Sequence, residues 1–142
     1  MKINTQSQHS ALKKNIVIHF PEGLPGFESH KNYRLYNSKK EGNLFWLCST
    51  DDETIEFAVT IPDTFHINYE ITIRDNEMAL INANDHRNII ILVILSKKIQ
   101  DDYNLNNLHA NFLGPLIIDV VQKKGFQKQL NRISSNVIIK AS

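Results

Sequence analysis

The chain has a single cysteine, Cys48, among its 142 residues. One thiol forms no internal disulfide, so no oxidising compartment is implied. Long apolar runs are absent as well. The longest, Ile89 to Leu95, is seven residues, where a membrane-spanning helix needs ~20. The opening stretch MKINTQSQHS is polar and has no apolar core of the signal-peptide kind. Charge of one sign is not in surplus either. Lys and Arg total 16 and Asp and Glu total 15, a formal net charge of +1. That balance disfavours a strongly basic nucleic-acid binder and an acidic solvating tail alike. With only 5 Gly and 4 Pro, collagen-like and low-complexity chains are excluded. The cytoplasm is the expected compartment.

What is present is an ordinary globular balance, 42% apolar and 22% charged. The length suits one domain over residues 1–142, with 1–13 and 134–142 loosely ordered. Ile16, Ile18 and Phe20 alternate in a β-branched run that reads as a strand. It must stop at Pro21-Glu22-Gly23-Leu24-Pro25-Gly26, where two Pro and two Gly force turns. Further strands are predicted over 33–36, 44–48, 55–61, 69–73, 89–96 and 116–121, with a last edge strand at 137–139. The unbroken apolar run at 89–96 is the pattern of a strand covered on both faces. Polar connections are expected at 37–43, 51–53, 82–88 and 101–107. Lys123-Lys124-Gly125 signals a hairpin, with Phe126 to Leu130 returning as the partner strand. A short helix is predicted from Asp75 to Ile81, with Asp75 as its cap. The expected fold is all-β and mostly antiparallel. It is a small β-barrel-like domain with one or two short helical turns, closed so that no strand edge is left bare.

Patterns that carry chemistry are scarce. His9, His19, His30, His66, His86 and His109 are scattered, with no HExxH pair and no Cys at ligand spacing. No phosphate-cradling Gly loop and no nucleophile elbow is present. The acidic pairs Asp51-Asp52 and Asp101-Asp102 sit in polar turns, where solvated charge is the ordinary outcome. Cys48 follows Trp46 and Leu47 in an apolar strand and reads as an inert small hydrophobe. No catalytic residue, metal ligand or cofactor is expected. Lys123, Lys124, Lys128 and Arg132 around Phe126 leave two readings, an RNA-binding stripe or a solvated hairpin guarded by Lys. In the Pro/Gly loop, Phe27 is expected to plug the barrel end. Asn111 either satisfies a buried backbone group or faces a partner, and an exposed Phe112/Leu113 pair would suit an interface.

Two phrases go further. Phe20, Gly23, Leu24, Pro25, Gly26, Phe27 and Glu28 form F-x-x-G-L-P-G-F-E. Asn111-Phe112-Leu113-Gly114-Pro115 leads into Leu116-Ile117-Ile118-Asp119. Together they resemble the flagellar assembly factor FliW family, whose corresponding phrases are F-x-x-G-[IL]-P-G-F-E and N-L-x-A-P-[IL]-x-[IV]-N. The first matches completely. In the second Phe112 stands for Leu, Gly114 for Ala and Asp119 for Asn. Leu47-Cys48-Ser49 resembles the family's L-Q-S, and Gly125 with Gln127 its G-x-Q. Pro62, Phe65, Tyr69 and Glu70 sit where the family has P-x-x-F-x-x-x-Y-E, with Ile67 at a position that favours Pro.

The resemblance implies a non-catalytic, monomeric cytoplasmic protein that binds two partners in alternation, without nucleic acid or membrane. One is flagellin and the other is CsrA, the translational repressor that blocks flagellin synthesis. Asn111, Phe112, Leu113, Pro115 and Gln127 are the candidate partner-binding residues. With a net charge of +1, only a local acidic patch is available to repel RNA from bound CsrA. Asp51 and Asp52 are its first candidates, with Glu53, Asp101 and Asp102. Phe20, Gly23, Leu24, Pro25, Gly26 and Phe27 are assigned to loop structure. The competing readings are a small RNA-binding barrel and a barrel enzyme using a flavin or metal.

Overall fold

Alternating apolar positions along successive strands need a closed surface to bury against, and the chain supplies one. A computed structural model describes residues 2–4, 15–37, 44–97 and 108–130. The strands are β1 (Lys2–Asn4), β2 (Ile16–His19), β3 (Asn32–Asn37), β4 (Leu44–Ser49), β5 (Glu56–Thr60), β6 (Glu70–Thr72), β7 (Ile89–Lys97), β8 (Leu108–Ala110), β9 (Leu116–Asp119) and β10 (Lys124–Gln127), with one helix, α1 (Asp75–Leu80). The order β5-β4-β3-β2-β10-β9-β7 is closed by pairing of β5 with β7, so seven strands make a barrel. All these pairings are antiparallel except β10 with β2, where Lys124 faces His19 in parallel. Short 3-10 turns follow β5, at Pro62–Phe65, and precede β7, at His86–Asn88.

The period-2 pattern sorts side chains into two cores. Ile18, Phe20, Tyr33, Leu35, Phe45, Leu47, Val59, Ile90, Leu92, Leu116 and Ile118 fill the barrel. The intervening residues of β7, Ile89, Ile91 and Val93, face outward with Ile117 and Phe126, under a cover of Ile3, Tyr69, Ile71, Ile73 and Ile81. The antiparallel pair β1–β6 and the residues flanking α1 supply that cover. Strand β7 is therefore buried on both faces, as its unbroken apolar run predicts. It pairs β9 with its first half, β8 with its second, and β5 along the other edge.

Several boundaries differ from the sequence reading for local reasons. Strand β9 ends at Asp119, not Val121, because Asp119 Oδ1 accepts the Val121 and Gln122 N–H groups, both at 2.9 Å. The Lys123 N–H then donates to the Asp119 carbonyl at 2.8 Å, with Lys123 at φ 58°. The turn is thus 120–123, and Lys124 belongs to the returning strand. Asp75 does not cap α1. Arg74 holds the cap position, and its N–H donates to Glu77 Oε1 at 2.9 Å. Of the connections predicted at 37–43 and 101–107, residues 38–43 and all of 101–107, with Asp101 and Asp102, lie outside the described residues, as do Arg132 and the strand predicted at 137–139.

Tyr33 is fully buried between the rings of Phe20 (5.5 Å) and Phe57 (6.2 Å), and its hydroxyl has no partner among the described residues. Tyr33→Phe keeps the ring contacts and removes an unsatisfied buried group. Urea unfolding should show stability unchanged or raised by up to ~1 kcal/mol. A loss of more than about 1 kcal/mol would mean the hydroxyl is bonded after all.

Candidate functional site: one rim of the barrel

The strand directions decide where the loops go. Strands β2, β4, β7 and β10 run one way, and β3, β5 and β9 the other. The loop 20–31, the turn 50–55, the segment 111–115 before β9 and the tail 128–130 after β10 therefore share one rim. The turn 120–123 and the excursion 61–88 start from the opposite rim. By strand direction, Asp51 and Asp52, the Pro/Gly phrase, and Asn111 to Pro115 with Gln127 lie toward the same ends of their strands, while the 111–115 segment itself packs on the outer layer at Phe65 and Tyr69.

The Pro/Gly phrase is two consecutive tight turns. The Gly23 N–H donates to the Phe20 carbonyl at 2.8 Å, and the Phe27 N–H to the Leu24 carbonyl at 2.7 Å. Pro25 and Gly26 (φ 87°) occupy the central positions that a type II turn requires. The first turn throws Leu24 inward, where it is 2% exposed and joins the barrel core. Leu24 is the plug. Phe27, expected to fill that role, is 36% exposed and rests edge-on against Phe57, ring centroids 5.2 Å apart. Gly23 has φ 68°, and a Cβ there would lie 2.7 Å from Glu28 Cα. Gly23→Ala combines left-handed strain with a backbone clash and should cost about 2–3 kcal/mol. Gly26→Ala faces open space and should cost only ~1 kcal/mol. Equal losses for the two variants in chemical denaturation would contradict this account.

The neighbouring turn is tied to the same loop. The Thr50 N–H donates to the Asn32 carbonyl at 3.0 Å, and Ser49 Oγ lies 3.5 Å from His30 Nδ1. Ser49 Oγ also accepts the Asp51 and Asp52 N–H groups at 3.1 and 3.2 Å. Asp52 Oδ1 accepts from the Thr54 hydroxyl at 2.6 Å and the Thr54 N–H at 3.0 Å. These bonds, the hydroxyl's first, hold the Asp52 carboxyl below its usual range. The Gly26 N–H likewise donates to Glu28 Oε2 at 3.1 Å and lowers the Glu28 carboxyl. Both stay ionised at neutral pH. Residues 20–31 and 50–56 hold six carboxylates, Glu22, Glu28, Asp51, Asp52, Glu53 and Glu56, against Lys31 alone. Their formal charge of −5 leaves +6 on the rest of a chain whose net charge is +1. Glu22, Glu28 and Glu56 were missed by the sequence reading. Counting strand directions from the first phrase would have sent them toward the same end of the barrel as Asp51.

The second phrase is a bulge held from three sides. The Asn111 N–H donates to the Ile94 carbonyl at 2.8 Å, the Leu130 N–H to Leu113 at 2.7 Å, and the Lys128 N–H to Pro115 at 2.9 Å. Tyr69 donates its hydroxyl to the Phe112 carbonyl. Gln127 Nε2 donates to the Gly114 carbonyl at 2.9 Å. A Cβ on Gly114 would lie 2.6 Å from that Nε2 and 2.8 Å from Asn111 Nδ2, so glycine lets Asn111 and Gln127 close over the bulge. Phe112 is half-buried, edge-on to Phe65 at 5.6 Å, while Leu113 is 41% exposed. Pro115 is buried and presents no surface. Of this group Asn111 and Leu113 face outward.

Of the basic stripe, Lys123 is exposed and Lys128 is withdrawn from the surface. Lys128 is 8% exposed, and its Nζ lies 2.9 Å from both carboxylate oxygens of Glu77 on α1. Lys124 is half-buried. Cys48 is half-buried, and burial first, then Glu56, raises its thiol. Tyr36 donates to Glu56 Oε2 at 2.7 Å, and burial together with that carboxylate lifts the phenol to about 12. Among the described residues no cluster of three or more His, Cys, Asp or Glu could hold a metal ion, and no helix is long and apolar enough to cross a membrane.

Comparison with known proteins decides the family. The sequence model of the family described as FliW protein matches residues 2–140. This chain belongs to the FliW family. It is 34% identical over 143 residues to the flagellar assembly factor FliW of Azoarcus sp. (strain BH72), covering 99% of this chain and 98% of that protein. It is 33% identical over 125 residues to flagellar assembly factor FliW 1 of Desulfotalea psychrophila, covering 86% of each. A crystal structure of the flagellar assembly factor FliW superposes with a TM-score of 0.70 at 24% identity, over 88% of this chain and 83% of that one. That likeness bears on the fold, and the seven-stranded mixed barrel is the FliW fold.

Proposed function

We propose that this FliW-family chain is a non-catalytic regulator in the cytoplasm that binds flagellin and the translational repressor CsrA in alternation. Free flagellin occupies it and leaves CsrA on the message. Once flagellin is exported, the freed protein takes up CsrA and flagellin translation resumes. Such a switch needs no chemistry, only two ligands that exclude each other. The observation that carries the reading is the shared rim. Strand direction sends the Pro/Gly loop, the turn carrying Asp51 and Asp52, and the segment carrying Asn111 and Leu113 out from the same ends of their strands, which supports overlapping docking sites. The RNA-binding alternative loses one of its four basic residues, because Lys128 is paired with Glu77.

The test is calorimetric titration with purified CsrA and with flagellin, separately and then in competition. Both should bind one to one. Flagellin at 100 times its Kd should weaken apparent CsrA affinity ~100-fold. Absence of binding to both would end this reading, and independent binding of the two would end the alternation. No direct RNA binding is expected at physiological salt.

A further inference from the structure

We propose that exposed Phe27, standing on half-buried Phe57 beside two carboxylate-bearing loops, is the docking point for a Lys/Arg-rich protein segment carrying an apolar anchor. This deepens the reading above and rests on it only in taking the rim as a protein-binding surface. Phe27 is held at the surface by construction. Its N–H closes the Leu24 turn, its carbonyl accepts the His30 N–H at 3.0 Å, and its ring stands on Phe57. Nothing ties its position to core filling, since Leu24 does that. A rigid aromatic presented at low entropy cost is the usual anchor of an interface.

Charge selects the occupant. Glu28, Asp51, Asp52 and Glu53 stand on the two loops that meet at this pair, within a zone of formal charge −5 on a chain of +1. Glu28, Asp51 and Glu53 are exposed, and Asp52 is half-buried. Glu28 and Asp52 are further fixed by backbone N–H groups and stay charged below the usual carboxylate range. An acidic or nucleic-acid partner is repelled there, whereas a cationic segment is drawn in and gains a hydrophobic contact at the centre.

The experiment titrates the full 15N-labelled chain with a synthetic twelve-residue peptide of alternating Lys and Leu, and with its Glu/Leu counterpart. Amide shifts should move within 20–31 and 49–57, for the Lys peptide only. Affinity should fall at least tenfold between 50 and 300 mM salt. Phe27→Ser should weaken binding at least tenfold, and so should Asp51→Lys with Glu53→Lys, a pair that touches no core residue. Val121→Ser, on the opposite rim and 61% exposed, should change nothing. Absence of binding at 1 mM peptide, shifts centred elsewhere, equal binding of the Glu peptide, or full affinity in either rim variant would each overturn the proposal. If CsrA and flagellin both bind while the peptide misses the rim, this docking point fails and the regulator reading stands. If neither protein binds while the peptide maps to the rim, the reverse holds.

Discussion

Phe20→Ala should destabilise the protein by roughly 3–5 kcal/mol, the range for emptying a fully buried aromatic site. Phe20 is completely buried, edge-on to Tyr33, and follows β2 at the parallel seam between β2 and β10. That seam is narrow. Strands β10 and β2 share one register pair, Lys124 with His19, besides the His19 N–H donating to the Lys123 carbonyl at 2.9 Å. Side chains therefore do much of the joining. The Phe20 ring approaches Gly125 so closely that a Cβ there would sit 3.0 Å from Phe20 Cε2 and Ile118 Cγ1, and 3.1 Å from the Ile117 carbonyl. Gly125→Ala should accordingly cost about 1–3 kcal/mol by overpacking. Combined with Phe20→Leu, which withdraws the ring edge, part of that cost should vanish, with a coupling of ~1 kcal/mol. Trp46, the sole tryptophan, reports unfolding in urea. If the Gly125→Ala penalty were the same with Leu at position 20, the ring would not be what excludes the methyl.

Lys128→Met should cost about 2–4 kcal/mol, because it strands the Glu77 carboxylate at a site where the two side chains are only 9% and 14% exposed. The pair joins α1 to the tail of β10, and Glu77 also accepts the Arg74 N–H that starts the helix. Glu77→Gln keeps that last bond and should cost less than Glu77→Ala. Replacing both members, Glu77→Leu with Lys128→Met, should recover most of the Lys128→Met loss. The pH dependence has a definite sign. Burial raises the Glu77 carboxyl, but the Arg74 N–H and then Lys128 outweigh it, so it titrates below its ordinary value of 4.5. As pH falls, the unfolded chain takes up this proton before the folded one does. The pair's contribution is complete above about pH 4.5 and is lost as pH falls through the lower folded value. Between pH 6 and pH 3 the wild type should lose more stability than Glu77→Gln. Parallel curves for the two would contradict the assignment.

Much of the barrel was legible because period-2 alternation is a local signal. Ile16/Ile18/Phe20 and the double-sided run at 89–95 announce their strands without reference to anything distant. The turn residues of the first phrase were legible for the same reason. What escaped were relations between remote residues. Lys128 looks like surface charge until Glu77, 51 positions away, is brought under it. The parallel seam leaves no mark in composition. Phe27 and Leu24 are both apolar residues in one loop, and only the φ values of Gly23 and Gly26 decide which turns inward. The shared rim was hidden until strand direction was known.

The position of β10 between β2 and β9 also bears on synthesis. Residue 19 leaves the ribosome long before residue 124, by roughly 5–20 s at about 5–20 residues per second. Until then β2 has β3 on one side and nothing on the other, and no shorter nascent product can close. The growing chain therefore exposes an unpaired strand edge for most of its synthesis, with the risk of unwanted pairing that such edges carry. Substitutions at the seam should show themselves first as lower soluble yield in cells, before any change in the finished protein's binding.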